Sequence, residues 1–469
     1  MGGLASFTEP FKYGDKTAIS VDHLRLSYKE VAELVKQIRL SLNGQSIDQH
    51  ERIGLVLDNR SISCLLVLLA VLEISPILLL IDNQMKALDL QHLVRTSSIK
   101  RWIVPGGFDV SVGTETVQST APVYREYSLV SFKGYDQENK NQAEEPCLLQ
   151  ATSGTGGRVK LAKVPYSALD IGSRWYDVWF GFKEEDNVLS TVPLHHSFGL
   201  IGSFLATLRV GATFVHCVEP TPRKVVQLVH SEACTVLFGV PLLLQLLESS
   251  NLIAPDALES LRLLISSGAK LESSKKEAFD KKFSKRIQQV YGSTETGVIA
   301  ASSPDVEEPE GAVGLLLPDV EWKDGGDQAF AIRSRTLFLG YLGEERTSSV
   351  SIDHYYQTGD LGYTADGYVY LTGRSKPFIN VSGRKIDPYE VTKAMLSHPD
   401  VRNAKVFGIK DPYYGEKVVA EVELESEVSM VQLRQYLLDN LAPYKVPATI
   451  EVVEQINSSW KNTYIQNEG

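Results

Sequence analysis

The chain has 469 residues, 43% hydrophobic and 22% charged, an ordinary globular composition and enough length for two or three domains around a large core. Its 47 basic against 58 acidic residues give a net charge of −11, which excludes the broadly basic surface that binds nucleic acid or anionic membranes non-specifically. The four cysteines (Cys64, Cys147, Cys217, Cys234) form no C-x-x-C pair and the nine histidines no H-E-x-x-H, so buried reduced thiols are expected rather than a disulfide frame or a zinc site.

Residues 1–12 lack the charged start and apolar core of a signal peptide. Residues 18–21 and 24–27 read as a short hairpin around Asp22-His23. Residues 28–42 place Val31, Leu34, Val35, Ile38 and Leu42 on one helical face. A strand is expected at 53–57. The apolar stretch 64–81 approaches the length of a membrane span, but Glu73 and Pro76 interrupt it. A buried helix over 63–72 running into a buried strand over 76–81 fits better, and a soluble cytoplasmic protein is expected. Strand patterns at 102–104, 188–192, 213–216, 236–238 and 263–266 alternate with helical ones, notably 241–247 and 273–283. This is the signature of an α/β fold with mixed, mostly parallel sheets. Past Ala312 the pattern changes to short strands (320–322, 330–332, 368–371) and Gly-rich turns, a β-rich subdomain. A small α+β segment follows: helix 388–397, strands 401–409 and 417–424, helix 428–440. The charged stretch Thr372-Gly373-Arg374-Ser375-Lys376-Pro377 reads as a turn without a hydrophobic anchor. It sets the main boundary, with an N-terminal domain at 1–375 and a C-terminal domain at 376–469.

Polar clusters fall where α/β sheets place ligands, in the loops after strands. The first is Thr152-Ser153-Gly154-Thr155-Gly156-Gly157-Arg158-Val159-Lys160, flanked by apolar strand patterns. Its glycines, hydroxyls and cation suit a polyphosphate cradle, although by composition alone such a stretch is more often a surface loop. It is not a Walker loop, since no Gly-Lys-Ser/Thr ends it. His195-His196-Ser197-Phe198-Gly199 follows the strand pattern ending at Val192; two hydrogen-bonded loop histidines are the bland alternative. Ser267-Gly268-Ala269-Lys270 is by itself a turn. In Tyr291-Gly292-Ser293-Thr294-Glu295 the carboxylate suits Mg²⁺, a hard cation, while a helix N-cap is the structural alternative. Asp360 in Tyr356-Gln357-Thr358-Gly359-Asp360-Leu361 can accept from a ribose diol. Gly373-Arg374-Ser375-Lys376 and Val381-Ser382-Gly383-Arg384-Lys385-Ile386 complete the series.

In their order and spacing these clusters resemble the adenylate-forming superfamily of acyl- and aryl-CoA synthetases, luciferases and peptide-synthetase adenylation domains. The likeness runs over nearly the whole chain. Residues 152–160 match T-S-G-T-T-G-x-P-K, and the others match P-L-x-H-x-x-G, Y-G-S-T-E, Y-x-T-G-D-L and the G-R-x-K hinge. The resemblance implies an acid–thiol ligase using ATP, Mg²⁺ and CoA, or the phosphopantetheine of a carrier protein. It assigns Thr152, Ser153, Gly154, Thr155, Gly156, Gly157 and Lys160 to the β- and γ-phosphates, Thr294 to the α-phosphate and Glu295 to the metal. Asp360 and Arg374 fall to the ribose, and Gly268, Ala269, Lys270, Tyr291, Gly292 and Ser293 to the nucleotide surroundings. His195, His196, Ser197, Phe198 and Gly199 line the acid site, His196 among the catalytic residues. Lys376 marks the hinge of a mobile C-terminal domain, and Ser382, Gly383 and Arg384 approach the thiol channel.

The chain departs from the family pattern at two places. Gly156 and Val159 replace a threonine and a proline of the loop. At the end, relatives carry P-x-T-x-x-G-K, whose lysine bridges the carboxylate and the α-phosphate. Here Ile456-Asn457-Ser458-Ser459-Trp460-Lys461 holds no Gly-Lys pair, and Lys461 takes that place only if the stretch is shortened by two residues. Amino-acid-activating relatives place an Asp near the 196–198 stretch to hold the substrate's ammonium and none lies here, so the resemblance implies a fatty, short-chain or aryl acid and not an α-amino acid. Trp175, Tyr176, Trp179 and Phe180 share a helical face, more often core packing than pocket wall. The function expected is activation of a carboxylic acid to an acyl-adenylate and transfer to CoA. A stand-alone enzyme loading a carrier protein and a non-enzymatic nucleotide-binding relative are the alternatives.

Overall fold

The computed structural model describes residues 13–49, 51–85, 87–109, 116–133, 145–153, 159–269, 271–325, 329–344, 353–375, 378–426, 428–453 and 456. The backbone groups into two compact units, one of residues 1–152 and 159–376 and one built on 377–469.

The larger unit contains two large sheets. In one, Arg101–Pro105, Arg52–Leu57, Ile77–Asp82 and Cys147–Ser153 lie side by side and parallel. The hairpin Thr116–Tyr124 and Tyr127–Lys133 extends one edge, and Val159–Pro165 forms the other. In the other, Thr17–Val21, Thr213–His216, Asn187–Ser190, Val236–Gly239, Leu263–Ser266 and Ile287–Ser293 are parallel neighbours. The antiparallel strands Gly297–Ala301, Ala312–Leu316, Tyr368–Arg374 and Asp360–Ala365 continue it. Its central strands are buried on both faces, which is why they read as unbroken apolar runs. Leu237 and Leu264 pack into one cluster with Phe279, while Phe238 and Ile265 pack into another with Tyr176 and Phe180.

Local chemistry explains the N-terminal elements. Asp22 and His23 take positive φ (44° and 71°), the turn that matches the twist of a two-residue hairpin. Ser27 then caps the helix Tyr28–Gly44 with a reciprocal Ser27–Glu30 capping box. Val31, Val35, Ile38 and Leu42 are buried along it, with Leu34 packed beside them. The helix Ile62–Ile74 is apolar all round and buried from Ile62 to Leu72, as expected of a core helix. It packs in a cluster with Leu55 and Leu80 from one sheet and Ile19 and Phe214 from the other. No helix among the described residues is long and apolar enough to cross a membrane.

Three local expectations change. Thr372, Gly373 and Arg374 do not form a turn. They continue the strand Tyr368–Arg374, because Gly373 and Arg374 pair with Leu361 and Asp360 on the neighbouring strand. No helix follows Tyr291-Gly292-Ser293; the chain reverses into the antiparallel strand Gly297–Ala301. The loop carrying the histidines ends at Ser197, where a π-helix, Phe198–Leu205, begins.

In the smaller unit, Ile379–Val381 and Arg384–Ile386 form a hairpin whose turn residues Ser382 and Gly383 have φ of 56° and 85°. The long pair Val401–Asp411 and Gly415–Leu424 carries the sheet, with Thr449–Val452 alongside. Helices Pro388–Leu396 and Met430–Asn440 bury Val391, Met395, Leu433 and Leu437 with Val406 and Ala420 of the sheet.

Candidate active site

The strand Ile287–Ser293 delivers the first group. At Gly292 an added Cβ would lie 2.1 Å from the Gly297 carbonyl oxygen, so only glycine lets the returning strand come this close. Ser293 N–H donates to Thr296 Oγ1 at 3.0 Å, closing the turn that carries Thr294 and Glu295. Tyr291, on the same strand, donates its hydroxyl to Asp360 Oδ2 at 2.6 Å, and Arg374 Nε donates to Asp360 Oδ1. The strand register sets Asp360 opposite Arg374, so the ion pair is built into the hairpin. Burial, reinforced by the adjacent Asp360 carboxylate, raises the Tyr291 phenol well above its ordinary range and keeps it a donor. The result is an oriented, charge-compensated carboxylate able to accept further hydrogen bonds from a diol.

A second group is assembled by the segment 336–344, which ties the two sheets together. Thr336 Oγ1 donates to Thr296 O at 2.7 Å and Phe338 N to Glu295 O at 2.9 Å. On its other side, Leu339 N donates to Lys163 O (2.7 Å), Lys163 N to Gly340 O (2.9 Å) and Leu342 N to Leu161 O (2.8 Å). Tyr341 is the pivot. Its hydroxyl donates to Glu295 Oε1 at 2.9 Å, and the Lys160 ammonium lies 4.6 Å from the centre of its ring. Lys160 Nζ also meets Glu344 Oε1 at 2.8 Å. One short segment thus fixes the spacing between the expected phosphate cation and the expected metal ligand.

The histidine loop forms the third group. Leu194 N donates to Asn59 Oδ1 at 3.0 Å, and His195 Nε2 stands 3.7 Å from Asp82 Oδ2. Gln150 Nε2 donates to His195 O (3.2 Å), and Gln150 Oε1 accepts from Ser197 Oγ at 2.6 Å. Gln150 lies two residues before Thr152, so this pairing joins the histidine loop to the strand that leads into the expected phosphate loop. Thr152 Oγ1 is buried and meets no hydrogen-bond partner among the described residues, as fits a group facing a ligand. A Cβ on Gly199 would meet the Pro193 carbonyl oxygen at 2.3 Å, which holds the loop tight against the π-helix. Phe198 packs 5.1 Å from Phe238, ring centre to ring centre. Of the expected aromatic stripe, Tyr176 and Phe180 are buried core, and Trp175 stacks on Trp179 at 5.5 Å.

The structure therefore gathers Tyr291, Asp360 and Arg374 into one cluster and links Lys160 to Glu295 in another. His195, Ser197 and Thr152 share the surroundings of Gln150. Ser382, Gly383 and Arg384 belong to the smaller unit, Ser382 and Gly383 on its hairpin turn and Arg384 opening the next strand. Gly154, Thr155, Gly156, Gly157, Lys270, Lys376 and Lys461 lie outside the described residues, as does the side chain of Ser153. Tyr341, Glu344, Gln150, Asn59 and Asp82 carried no site role in the sequence. Only long-range pairing reveals the contact of Tyr341 with Glu295. Among the described residues no three His, Cys, Asp or Glu side chains gather as a metal cage. One carboxylate such as Glu295 nevertheless fits Mg²⁺ delivered on phosphate, which keeps most of its ligands as water and phosphate oxygen.

Two mixed sheets in the larger unit and an α+β smaller unit define the α/β fold class of the chain. The family model of AMP-binding enzymes matches residues 8–327, and that of the AMP-binding enzyme C-terminal domain matches 390–459. The chain belongs to this adenylate-forming superfamily, on its AMP-forming acid–CoA ligase side. It is 27% identical to a 4-chlorobenzoate–CoA ligase of an Arthrobacter species over 92% of this chain and 87% of that one. It is also 27% identical to the human mitochondrial acyl-coenzyme A synthetase ACSM2B, over 92% and 81% respectively. Among solved structures, a malonyl-CoA ligase in a ternary product complex with methylmalonyl-CoA and AMP superposes with a TM-score of 0.82 at 25% identity, covering 96% of this chain and 97% of that one.

Proposed function

We propose that this chain activates a fatty or aryl carboxylic acid with ATP and passes the acyl group to the thiol of CoA. The reading is carried by the Asp360 cluster lying next to the turn that presents Glu295, itself tied through Tyr341 to Lys160. A carboxylate is a poor acylating agent because oxide would have to leave. In the first step its oxygen bonds to the α-phosphorus of ATP as the bond to the β-phosphate bridging oxygen breaks, releasing pyrophosphate. In the second, a thiol attacks the acyl carbon and AMP departs.

The first step brings anions together, so fixed positive charge and donors decide its rate. Lys160 and Thr152 serve the β- and γ-phosphates, Thr294 the α-phosphate, and Asp360 with Arg374 the ribose hydroxyls. Mg²⁺, when bound at Glu295, supplies charge neutralisation of the phosphates. His196, Ser197 and Phe198 face the acid, and Phe198 beside Phe238 suits an apolar or aromatic tail. The CoA ligases of 4-chlorobenzoate and of acyl groups among its relatives support that substrate class. No Asp lies at 196–198 to hold an ammonium, which leaves the α-amino acid reading without support.

Pyrophosphate release with a panel of aryl and fatty acids, with CoA or with a carrier protein, tests the reading. Acid-dependent release with thioester on CoA is expected. A product requiring a carrier protein would replace the acceptor, and no acid-dependent release would leave a non-enzymatic relative. Lys461 is proposed as the cation bridging carboxylate and α-phosphate. Lys461→Ala is expected to slow adenylation about a hundredfold and to spare transfer from preformed acyl-adenylate. Equal losses in both half-reactions would remove it from that role.

A further inference from the structure

We infer that Glu344 is an internal counter-ion for Lys160, competing with the β- and γ-phosphates of ATP for one ammonium and so setting triphosphate affinity against monophosphate affinity. The inference rests on the reading of Lys160 as the phosphate-loop cation.

The pair is built by the backbone and is not a chance meeting of long side chains. Lys160 sits in the strand Val159–Pro165, whose Leu161 and Lys163 hydrogen-bond to Leu342, Leu339 and Gly340. Glu344 N donates to Tyr341 O at 3.3 Å, which turns the carboxylate back toward that strand. The ion pair closes at 2.8 Å, with the side chains 32% and 33% exposed. At that exposure an incoming anion can reach the ammonium, and a displaced Glu344 can be hydrated at little cost.

The Tyr341 ring makes exchange easy. It lies 4.6 Å from Lys160 Nζ, and its hydroxyl is held by Glu295, so the ring remains a platform for the cation in either state. Release of Lys160 to phosphate then sacrifices the Glu344 contact alone. A triphosphate carries enough charge to displace one carboxylate. AMP has no β- or γ-phosphate and leaves the pair intact, so Glu344 weakens ATP binding without touching AMP.

The test is calorimetric binding of a non-hydrolysable ATP analogue and of AMP to the full chain, in wild type, Glu344→Gln, Lys160→Met and the double variant. Glu344→Gln is expected to tighten the ATP analogue about two- to fivefold, more at low salt than at high, with AMP affinity unchanged. Unchanged AMP binding also reports an intact fold. Lys160→Met is expected to weaken the analogue and to erase the gain from Glu344→Gln. Weaker analogue binding in Glu344→Gln would make Glu344 an orienting group and overturn the inference. Equal shifts for both nucleotides, no shift for either, or a gain that survives Lys160→Met would do the same. A wild-type chain that binds neither nucleotide would overturn the functional reading itself.

Discussion

The two ends of the parallel strands in the larger sheet carry polar clusters of opposite character. At the amino ends, Asp186, Thr235 and Arg262 immediately precede three adjacent strands. The Asp186 carboxylate accepts from Lys183 N (2.8 Å), Thr235 Oγ1 (2.7 Å) and Arg262 Nε and Nη2 (2.8 and 2.5 Å). It is 3% exposed and saturated by its own chain. Beyond the carboxyl ends, Asp360 is held by a phenol and a guanidinium but stays reachable. On the other sheet, Lys160 is shared between a carboxylate and a ring, and Thr152 Oγ1 is buried without a partner among the described residues. The difference separates polar groups that close a structure from those held open for a ligand. Saturation marks the first kind, and oriented incompleteness the second.

This contrast breaks down if substitutions at the two ends have the same phenotype. Asp186→Ala removes the acceptor of a buried ion pair and is expected to cost about 3 kcal/mol of stability, read by denaturant unfolding, with KM for ATP unchanged. Its pH dependence follows from the same contacts. Burial opposes ionisation of Asp186, but Arg262, Thr235 and the Lys183 N–H outweigh it and hold the carboxyl below its ordinary range. The unfolded chain therefore binds a proton at higher pH than the folded one. The wild-type advantage over Asp186→Ala is full above the ordinary carboxylate pKa and lost as pH falls through the lowered folded value. Asp360→Asn is expected to act the other way. Loss of charge-assisted hydrogen bonds to the ribose raises KM for ATP roughly tenfold or more, while the unfolding midpoint hardly moves because Arg374 is a quarter exposed. A large stability loss in Asp360→Asn with unchanged KM would reverse the assignment of the two ends.

How much of this was legible in the sequence depends on the range of the interactions. Asp22-His23 and the core helix Ile62–Ile74 are set by neighbours in the chain, and the sequence announces them. Asp360 and Arg374 were readable as a pair through family-like motifs fourteen residues apart. The strand that joins them was not, because Thr372-Gly373-Arg374 has the local chemistry of a turn and is held extended only by its partner Asp360-Leu361. Glu344 and Tyr341 escaped for a similar reason. Their roles arise from pairing with the strand Val159–Pro165, far away in sequence, and nothing local marks a glutamate that faces a distant lysine. Asp186 likewise looks like any loop acid until the ends of three strands converge on it.

Tyr291→Phe sharpens the comparison, because Tyr291 stands where the two characters meet. Its body lies on the strand Ile287–Ser293 and packs against the cluster of Ala300, Val313 and Val369, while its hydroxyl reaches Asp360. Phenylalanine keeps the packing and deletes the one hydrogen bond, so stability is expected to change little. Asp360 loses a donor that fixes its orientation while Arg374 still holds the other oxygen, which limits the effect on ATP to about three- to tenfold in KM. ATP and AMP share the ribose, so their affinities are expected to fall together. That behaviour contrasts with Glu344→Gln, where ATP alone responds. Calorimetry with both nucleotides distinguishes the two, and a Tyr291→Phe variant that loses ATP but not AMP would place Tyr291 at the phosphates instead of the ribose.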